Sequence, residues 1–432
     1  MIYRYILVPF QSFHSRKWDS HLNVKIMVLT LFYTLVSGGG STLNENSGKD
    51  FELRKFVAPE FIIGLDARSL SGRYAKNLGA ENVLVVTQPE IIREVWFRDV
   101  IKSLDEAGIG HSLFSGITPN PRDNEVMAGV EQYAAKGCNA IIAVGGGSPI
   151  DCAKGIGIVV SNGRNILDYE GVDNIPLPAP PLICVPATAG TGADVSQFAI
   201  INDTKRRVKI AIISKKIVPD IALIDPVPLT TLTPTLTAHT GMDAITHSVE
   251  AYVSNASSPV TDIHALESIK IMCKHLTEAF QNPKSIEFRY QTMISSLLAG
   301  LAFSNASLGA VHAMAHSLGG YSDLPHGECN ALLLEHVIDY NYPACPERYE
   351  KIGAVMGVDY TGNDRKERKT KIIGTLTLMR ESLGISETLG ELGVKKADIP
   401  ELAKKAIHDP CMATNPRQPT LKDIEHIYEK AL

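Results

Sequence analysis

The chain has 432 residues, 44% apolar and 21% charged, with a formal net charge of −5. That length supports two domains with sizeable cores, and the balance is that of an ordinary globular protein. It excludes a basic field able to hold nucleic acid, and no RNA- or DNA-binding motif occurs.

Residues 1–50 differ from the rest. The apolar run at 26–36, IMVLTLFYTLV, is bounded by Lys25 and by SGGGST. It is shorter than a membrane span and near the length of a signal-peptide core, but its leader is long and no A-x-A site follows. The preferred reading is an atypical extension from a start assigned too far upstream, with a signal-like segment as the alternative. The body begins near Phe51, and no membrane association is expected.

Residues 51–235 alternate short apolar runs with amphipathic stretches. Strands are expected at 82–87, 111–114, 139–144, 181–185 and 221–224, helices at 92–107 and 122–136, and a hairpin from 198–201 and 208–213. Such alternation indicates an α/β domain with a parallel sheet, Rossmann-like in plan. The strand at 139–144 runs into Gly145, Gly146, Gly147, Ser148, Pro149, Ile150 and Asp151. Glycines let the backbone approach a ligand closely. Ser148 reads as a helix N-cap, Pro149 as the first helical residue and Asp151 as an acid of the first turn. A helix start of this kind suits a pyrophosphate, although the loop is neither GxGxxG nor a Walker A sequence. A second small-residue loop, carrying Thr188 and Thr191, follows the strand at 181–185. Loops at strand C-ends are where a doubly wound sheet binds its ligand. Pro226, Pro228 and Pro234 mark the boundary between 51–235 and 236–432.

Beyond it the strand signal fades, and helices are expected at 236–254, 262–280, 288–303, 306–318, 331–342, 347–356, 366–383 and 399–407. This is an all-helical domain. His312 and His316 are four residues apart, as are Asp243 and His247, so each pair shares one helix face. Gly319 and Gly320 read as a helix stop, and His326 follows from a loop or helix start. One carboxylate and three imidazoles suit Fe(II), Zn or Mn. Asp243, His247, His312 and His326 are read as metal ligands, with His316 beside the metal and not on it. The turn-rich tail at 409–417 could reach back to the cleft. Seven cysteines without a CxxC pair imply reduced thiols and a cytoplasmic setting, with Cys329 as a buried inert thiol.

With GGGSPIDCAKGIG, PATAGTGAD, GMDAITHSVEAY, FSNASLGAVHAMAHSLGG and LPHGECNALLL in view, residues 51–432 resemble the iron-containing (group III) alcohol dehydrogenase family. The resemblance implies a nucleotide-binding α/β domain and a helical metal-binding domain, with nicotinamide and metal in the cleft between them. It implies Fe(II) at Asp243, His247, His312 and His326, and an active-site role for His316. It assigns cofactor contacts to the loops at Gly145 to Ser148 and Thr188 to Thr191. A small alcohol or aldehyde as substrate, NAD as cofactor and a homodimer or larger homo-oligomer are the family expectations.

Three positions depart from the family pattern. Ala187 stands where a threonine is usual, and Asp194 where a glutamate is. Gln88 stands where many relatives carry an aspartate that takes the ribose hydroxyls and repels a 2′-phosphate, so NADP is not excluded beside NAD. Phe303 and the loop at 166–169 are expected to line the substrate pocket. The alternatives are a glycerol-dehydrogenase-like zinc enzyme and a non-catalytic, regulatory relative. A dehydroquinate-synthase-like lyase would want a basic phosphate pocket near the ligand helices, which is not evident.

Overall fold

The computed structural model describes residues 53–432. The expectation for residues 1–50 lies outside the described residues.

The α/β half is built on inner strands with no polar face, while the edge strands Glu60–Ile63 and Gly110–Phe114 are more exposed. Val83, Leu84, Val85 and Val86, and Ile142, Ala143 and Val144, are each 0% exposed, as a parallel sheet covered on both sides requires. In chain order the elements are β1 (Glu60–Ile63), α1 (Ser71–Asn77), β2 (Asn82–Val86), α2 (Pro89–Ile92), α3 (Phe97–Ala107), β3 (Gly110–Phe114), α4 (Asp123–Ala135), β4 (Ala140–Gly145), α5 (Gly147–Asn162), β5 (Gly171–Val172), β6 (Leu182–Pro186), β7 (Phe198–Asp203), β8 (Val208–Ile213) and β9 (Ile221–Ile224). Six strands form a parallel sheet in the order β1-β9-β6-β4-β2-β3. Alternate residues feed opposite cores. Leu84, Val86 and Ile141 pack with Ile150 and Ile156 of α5, while Val83, Val85 and Ile142 pack with Val100 and Leu104 of α3.

The chain steps from β2 outward to β3, then returns to β4 on the other side of β2. That reversal opens a crevice at the strand C-ends. It brings Gln88, which follows β2, next to the glycine loop that follows β4. A separate small sheet, β5-β8-β7, carries the antiparallel hairpin.

The helical half comprises α6 (Pro234–Val253), α7 (Pro259–Gln281), α8 (Ile286–Ala306), α9 (Ala310–Ser322), α10 (His326–Asn341), α11 (Pro346–Val355), α12 (Arg365–Ser382), α13 (Ile399–Ala406) and α14 (Leu421–Ala431). Its entry is well signalled: the Thr233 side chain caps α6 by accepting from Leu236 N, and Pro234 takes the first helical position. Residues 240–253 of α6 are all buried, so this helix is the axis of the half. Among the described residues no single helix is long and apolar enough to cross a membrane.

Several local expectations need correction. The helix expected at 92–107 is two pieces, α2 and α3, broken at 93–96. Ser148 is not the N-cap of α5. Gly146 holds that position with no side-chain cap, and Pro149 and Asp151 fall later than the first helical residue and first turn assigned to them. The helix expected from 306 starts at Ala310, because Ser307 turns the chain with φ +60°. Gly319 and Gly320 do not end α9, which runs to Ser322 with left-handed Asp323 as its cap. Those glycines instead let β8 approach. A Cβ on Gly320 would lie 2.8 Å from both Lys209 N and Val208 Cα. The loop at 166–169 is not at the cleft, since Ile166 and Tyr169 are buried in the α/β core.

Candidate active site

One cleft of about 1050 Å³ collects both sets of residues singled out in the sequence. One wall carries Gln88, Gly146, Gly147, Ser148, Asp151, Thr188 and Thr191; the other carries Asp243, His247, His312, His316 and His326, with Phe303 between them.

On the first wall, Gly145 has φ +148°, a conformation open to glycine. A Cβ on Gly146 would lie 3.0 Å from Thr188 Cγ2, and one on Gly147 would lie 3.0 Å from Thr191 Cγ2. The glycines and threonines therefore face each other across a narrow slot. Helix α5 opens onto this slot without a side-chain cap, which leaves its first N–H groups and positive dipole end for an anion. Thr188 Oγ1 is buried there with no partner among the described residues. The slot therefore fits a diphosphate. Ser148 Oγ accepts from Asn120 N at 3.3 Å. Asp151 is held by its neighbours: Oδ2 accepts from Ile200 N at 3.2 Å, and burial pushes its carboxyl up to about 6.

On the second wall, α6 presents Asp243 and His247, α9 presents His312 and His316, and α10 begins at His326. Asp243 Oδ1 lies 3.9 Å from His247 Nε2, 3.7 Å from His312 Nε2 and 3.9 Å from His326 Nε2. Ligand atoms about 2.1 Å from a tetrahedral ion stand about 3.4 Å apart, so Asp243, His247 and His312 need only a modest contraction onto one centre, whereas His326 stands outside their group and has farther to move. The donor atoms of Asp243, His247 and His312 are all within 4.8 Å of one another.

The ring orientations agree. His247 Nδ1 donates to Gly190 O at 3.1 Å and His312 Nδ1 donates to Glu250 Oε2 at 2.5 Å. Each bond puts the proton on Nδ1 and leaves the Nε2 lone pair facing inward. His247 is stacked between Phe303 and His312, with ring centroids 4.3 and 4.5 Å away.

The converging lone pairs draw in the Asn330 amide. Its Nδ2 donates to Asp243 Oδ1 at 2.7 Å and lies 3.1 and 3.2 Å from His312 Nε2 and His326 Nε2. Asn330 Oδ1 and His326 Nδ1 are buried without partners among the described residues.

Electrostatics favour positive charge at this point. Burial opposes it, but His247, His312 and His326 hold the Asp243 carboxyl well below the usual carboxylate range. Burial likewise pushes His312 down, yet Glu250 and Asp243 outweigh it and bring the imidazole to about 9. Burial takes His247 down to about 4. The set fits a divalent ion in its donor chemistry, spacing and charge.

His316 stands apart from this centre. Its ring stacks on His326 with centroids 5.2 Å apart, and its Nδ1 donates to Asp409 Oδ2 at 2.9 Å. The tail at 409–417 reaches back as far as His316, through Asp409, but none of its residues lines the cleft itself. Burial would raise the Asp409 carboxyl, but His316 and the Cys411 N–H outweigh it and hold it below its ordinary value. Cys329 is fully buried, its thiol pushed up to about 12 by burial, and it stays out of the donor group. All seven cysteines are free.

Sequence reasoning missed Glu250, Asn330 and Asp409, as well as Lys209, whose Nζ donates to Asn120 Oδ1 at 2.8 Å at the cleft. Helical spacing gave a signal for two of these: Asn330 is four residues after His326, and Glu250 three after His247. Asp409 had only the general expectation that its turn-rich tail could reach back, and Lys209 had none.

A parallel sheet with a glycine-lined crevice joins an all-helical half with a buried Asp/His donor set, a two-part architecture that suits a nucleotide and a metal in one cleft. The chain belongs to the iron-containing alcohol dehydrogenase family. The family's iron-containing alcohol dehydrogenase model matches residues 58–226, and its C-terminal model matches 237–432. The 1,3-propanediol dehydrogenase of Klebsiella pneumoniae is 39% identical over 372 residues, 86% of this chain and 96% of that one. The NAD-dependent methanol dehydrogenase of Bacillus methanolicus is 37% identical over 377 residues, 87% of this chain and 99% of that one. The crystal structure of a 1,3-propanediol oxidoreductase superposes with a TM-score of 0.85 at 37% identity, covering 88% of this chain and 100% of that one. The chain is an alcohol dehydrogenase of this family, an oxidoreductase acting on alcohols.

Proposed function

We propose that the chain interconverts a small primary alcohol and its aldehyde, using NAD and a divalent metal held by Asp243, His247, His312 and His326. The observation that supports this most is the single cleft lined on one wall by the glycine–threonine slot and on the other by the Asp/His set. Iron(II) is the family's metal. Zinc, as in a glycerol-dehydrogenase-like enzyme, would suit the same donors.

When bound, the ion supplies Lewis acidity toward a substrate oxygen and the nicotinamide supplies the hydride acceptor. The chain does the rest. Gly146, Gly147 and Ser148 open the slot for the diphosphate, and Thr188 and Thr191 offer hydroxyls to it. Phe303 packs on His247 and gives the reacting end an apolar wall. His316 carries the proton between the substrate oxygen and the outside of the cleft.

Gln88 lacks the charge that would repel a 2′-phosphate, but Glu90 and Glu94 line the same end of the cleft and restore a negative field. NAD is therefore favoured over NADP. The test is reduction of each cofactor across a panel of short alcohols, including diols, with the metal supplied. We expect turnover with NAD at a kcat/KM at least about tenfold above NADP, a difference of about 1.4 kcal/mol. Equal use of both would remove the role given to Glu90 and Glu94. No turnover on any alcohol or aldehyde would overturn the proposal.

A further inference from the structure

We infer that Asp409 is a positioning residue for the reaction, fixing His316 so that its Nε2 is the nitrogen that handles the substrate proton. The inference rests on the role given to His316 above.

The geometry is over-determined. Asp409 Oδ2 accepts from His316 Nδ1 at 2.9 Å, and Oδ1 accepts from Cys411 N at 2.8 Å, so both carboxylate oxygens are engaged. The segment that carries Asp409 is pinned to the start of α9, the helix of His316. Thr414 Oγ1 donates to Leu308 O at 2.5 Å, and Asn415 Oδ1 accepts from Ala310 N at 3.1 Å. Carboxylate and imidazole are thus anchored to one local frame, although 93 residues separate them in the chain.

An ionised carboxylate can only accept, so the proton of this bond belongs to His316 Nδ1. That leaves Nε2 as the lone-pair nitrogen, and no hydrogen bond from a described residue reaches it. His316 lines the cleft beside His326. Losing the carboxylate would free the ring to rotate or to take the other tautomer, which places a proton where a lone pair is needed.

Asp409 also caps the turn at Pro410–Thr414, and a purely structural role would end there. Asp409→Asn separates the two roles, because asparagine is an equally good cap but carries no charge and can donate. We expect Asp409→Asn to keep its thermal midpoint, metal content and KM values for alcohol and NAD within about threefold of the unaltered chain. Its kcat should fall about 10²-fold, the scale of a lost proton-transfer partner. A solvent deuterium isotope effect on kcat should emerge, and Asp409→Glu should recover part of the rate. In a His316→Ala background, Asp409→Asn should cost nothing further.

Unchanged kcat in Asp409→Asn while His316→Ala is impaired would overturn this inference and leave the reading of His316 standing. Full activity of His316→Ala would overturn both. A loss in Asp409→Asn that tracks lost metal or a lowered thermal midpoint would reduce Asp409 to a cap.

Discussion

His247→Ala is expected to lose bound metal and activity together. The imidazole is one of the four proposed donors and one of the three that the structure groups together, and its Nε2 lies 3.9 Å from Asp243 Oδ1. Removing it leaves three donors and opens the centre to water beside a carboxylate that is 2% exposed. Lewis acidity toward a substrate oxygen is worth several kcal/mol, so the rate should fall by about 10³-fold or more. The ring also packs on Phe303 and His312, so truncation leaves a cavity and lowers the thermal midpoint. His247→Gln, which keeps most of the volume, separates the effects. It should hold the fold and still fail to retain metal. NAD binding, measured by fluorescence titration, should persist in both variants though weakened, because the glycine side of the slot belongs to the sheet half while the loop of Thr188 and Thr191 loses the His247 bond to Gly190 O. Full activity in either variant would remove His247 from the ligand set.

Gly146→Val is expected to have the second-largest effect, on the opposite wall. The backbone at Gly146 has φ −79°, which valine tolerates, so the change acts through space and not through strain. The added Cβ would lie 3.0 Å from Thr188 Cγ2, and the two further methyls would fill the slot read as the diphosphate site. The KM for NAD should rise about 10²-fold, which corresponds to the loss of about 2.7 kcal/mol. Metal content should not change. A normal KM for NAD would show that the diphosphate lies elsewhere.

The centre of the sheet was legible because its inner strands are apolar along most of their length, a pattern that surface elements do not show. β1 was missed because three of its four residues are exposed. β5 was missed because two residues carry no period. Eight of the nine helices described in the second half were legible, α14 being missed, and their ends were not. Gly319 and Gly320 look like a stop in sequence, yet they are there so that β8 can lie against α9. The break before α9 came from one left-handed serine, Ser307, which no pattern announces.

At the site, helical spacing made Asp243 with His247 legible as a pair and drew attention to His312 beside His316, while His326 was read from the turn that precedes it. The residues that orient those rings were less so. The loop holding Thr188 and Thr191 was read for its hydroxyls, but the Gly190 carbonyl between them also holds His247. That contact joins the crevice to the donor set, and it comes from backbone, which carries no residue signature. Asp409 is the extreme case, a partner brought to His316 only by the folding of the tail.

Asp243, His247, His312 and His326 are proposed to hold a divalent metal that the reaction needs. The most direct measurement is elemental analysis of the full chain prepared without oxygen, with NAD reduction assayed before and after chelation and again after metal is restored. Iron or zinc near one per chain is expected, with activity lost on chelation and recovered when the ion is returned. A chain that binds no metal, or that turns over undiminished after its metal is stripped, would contradict that role.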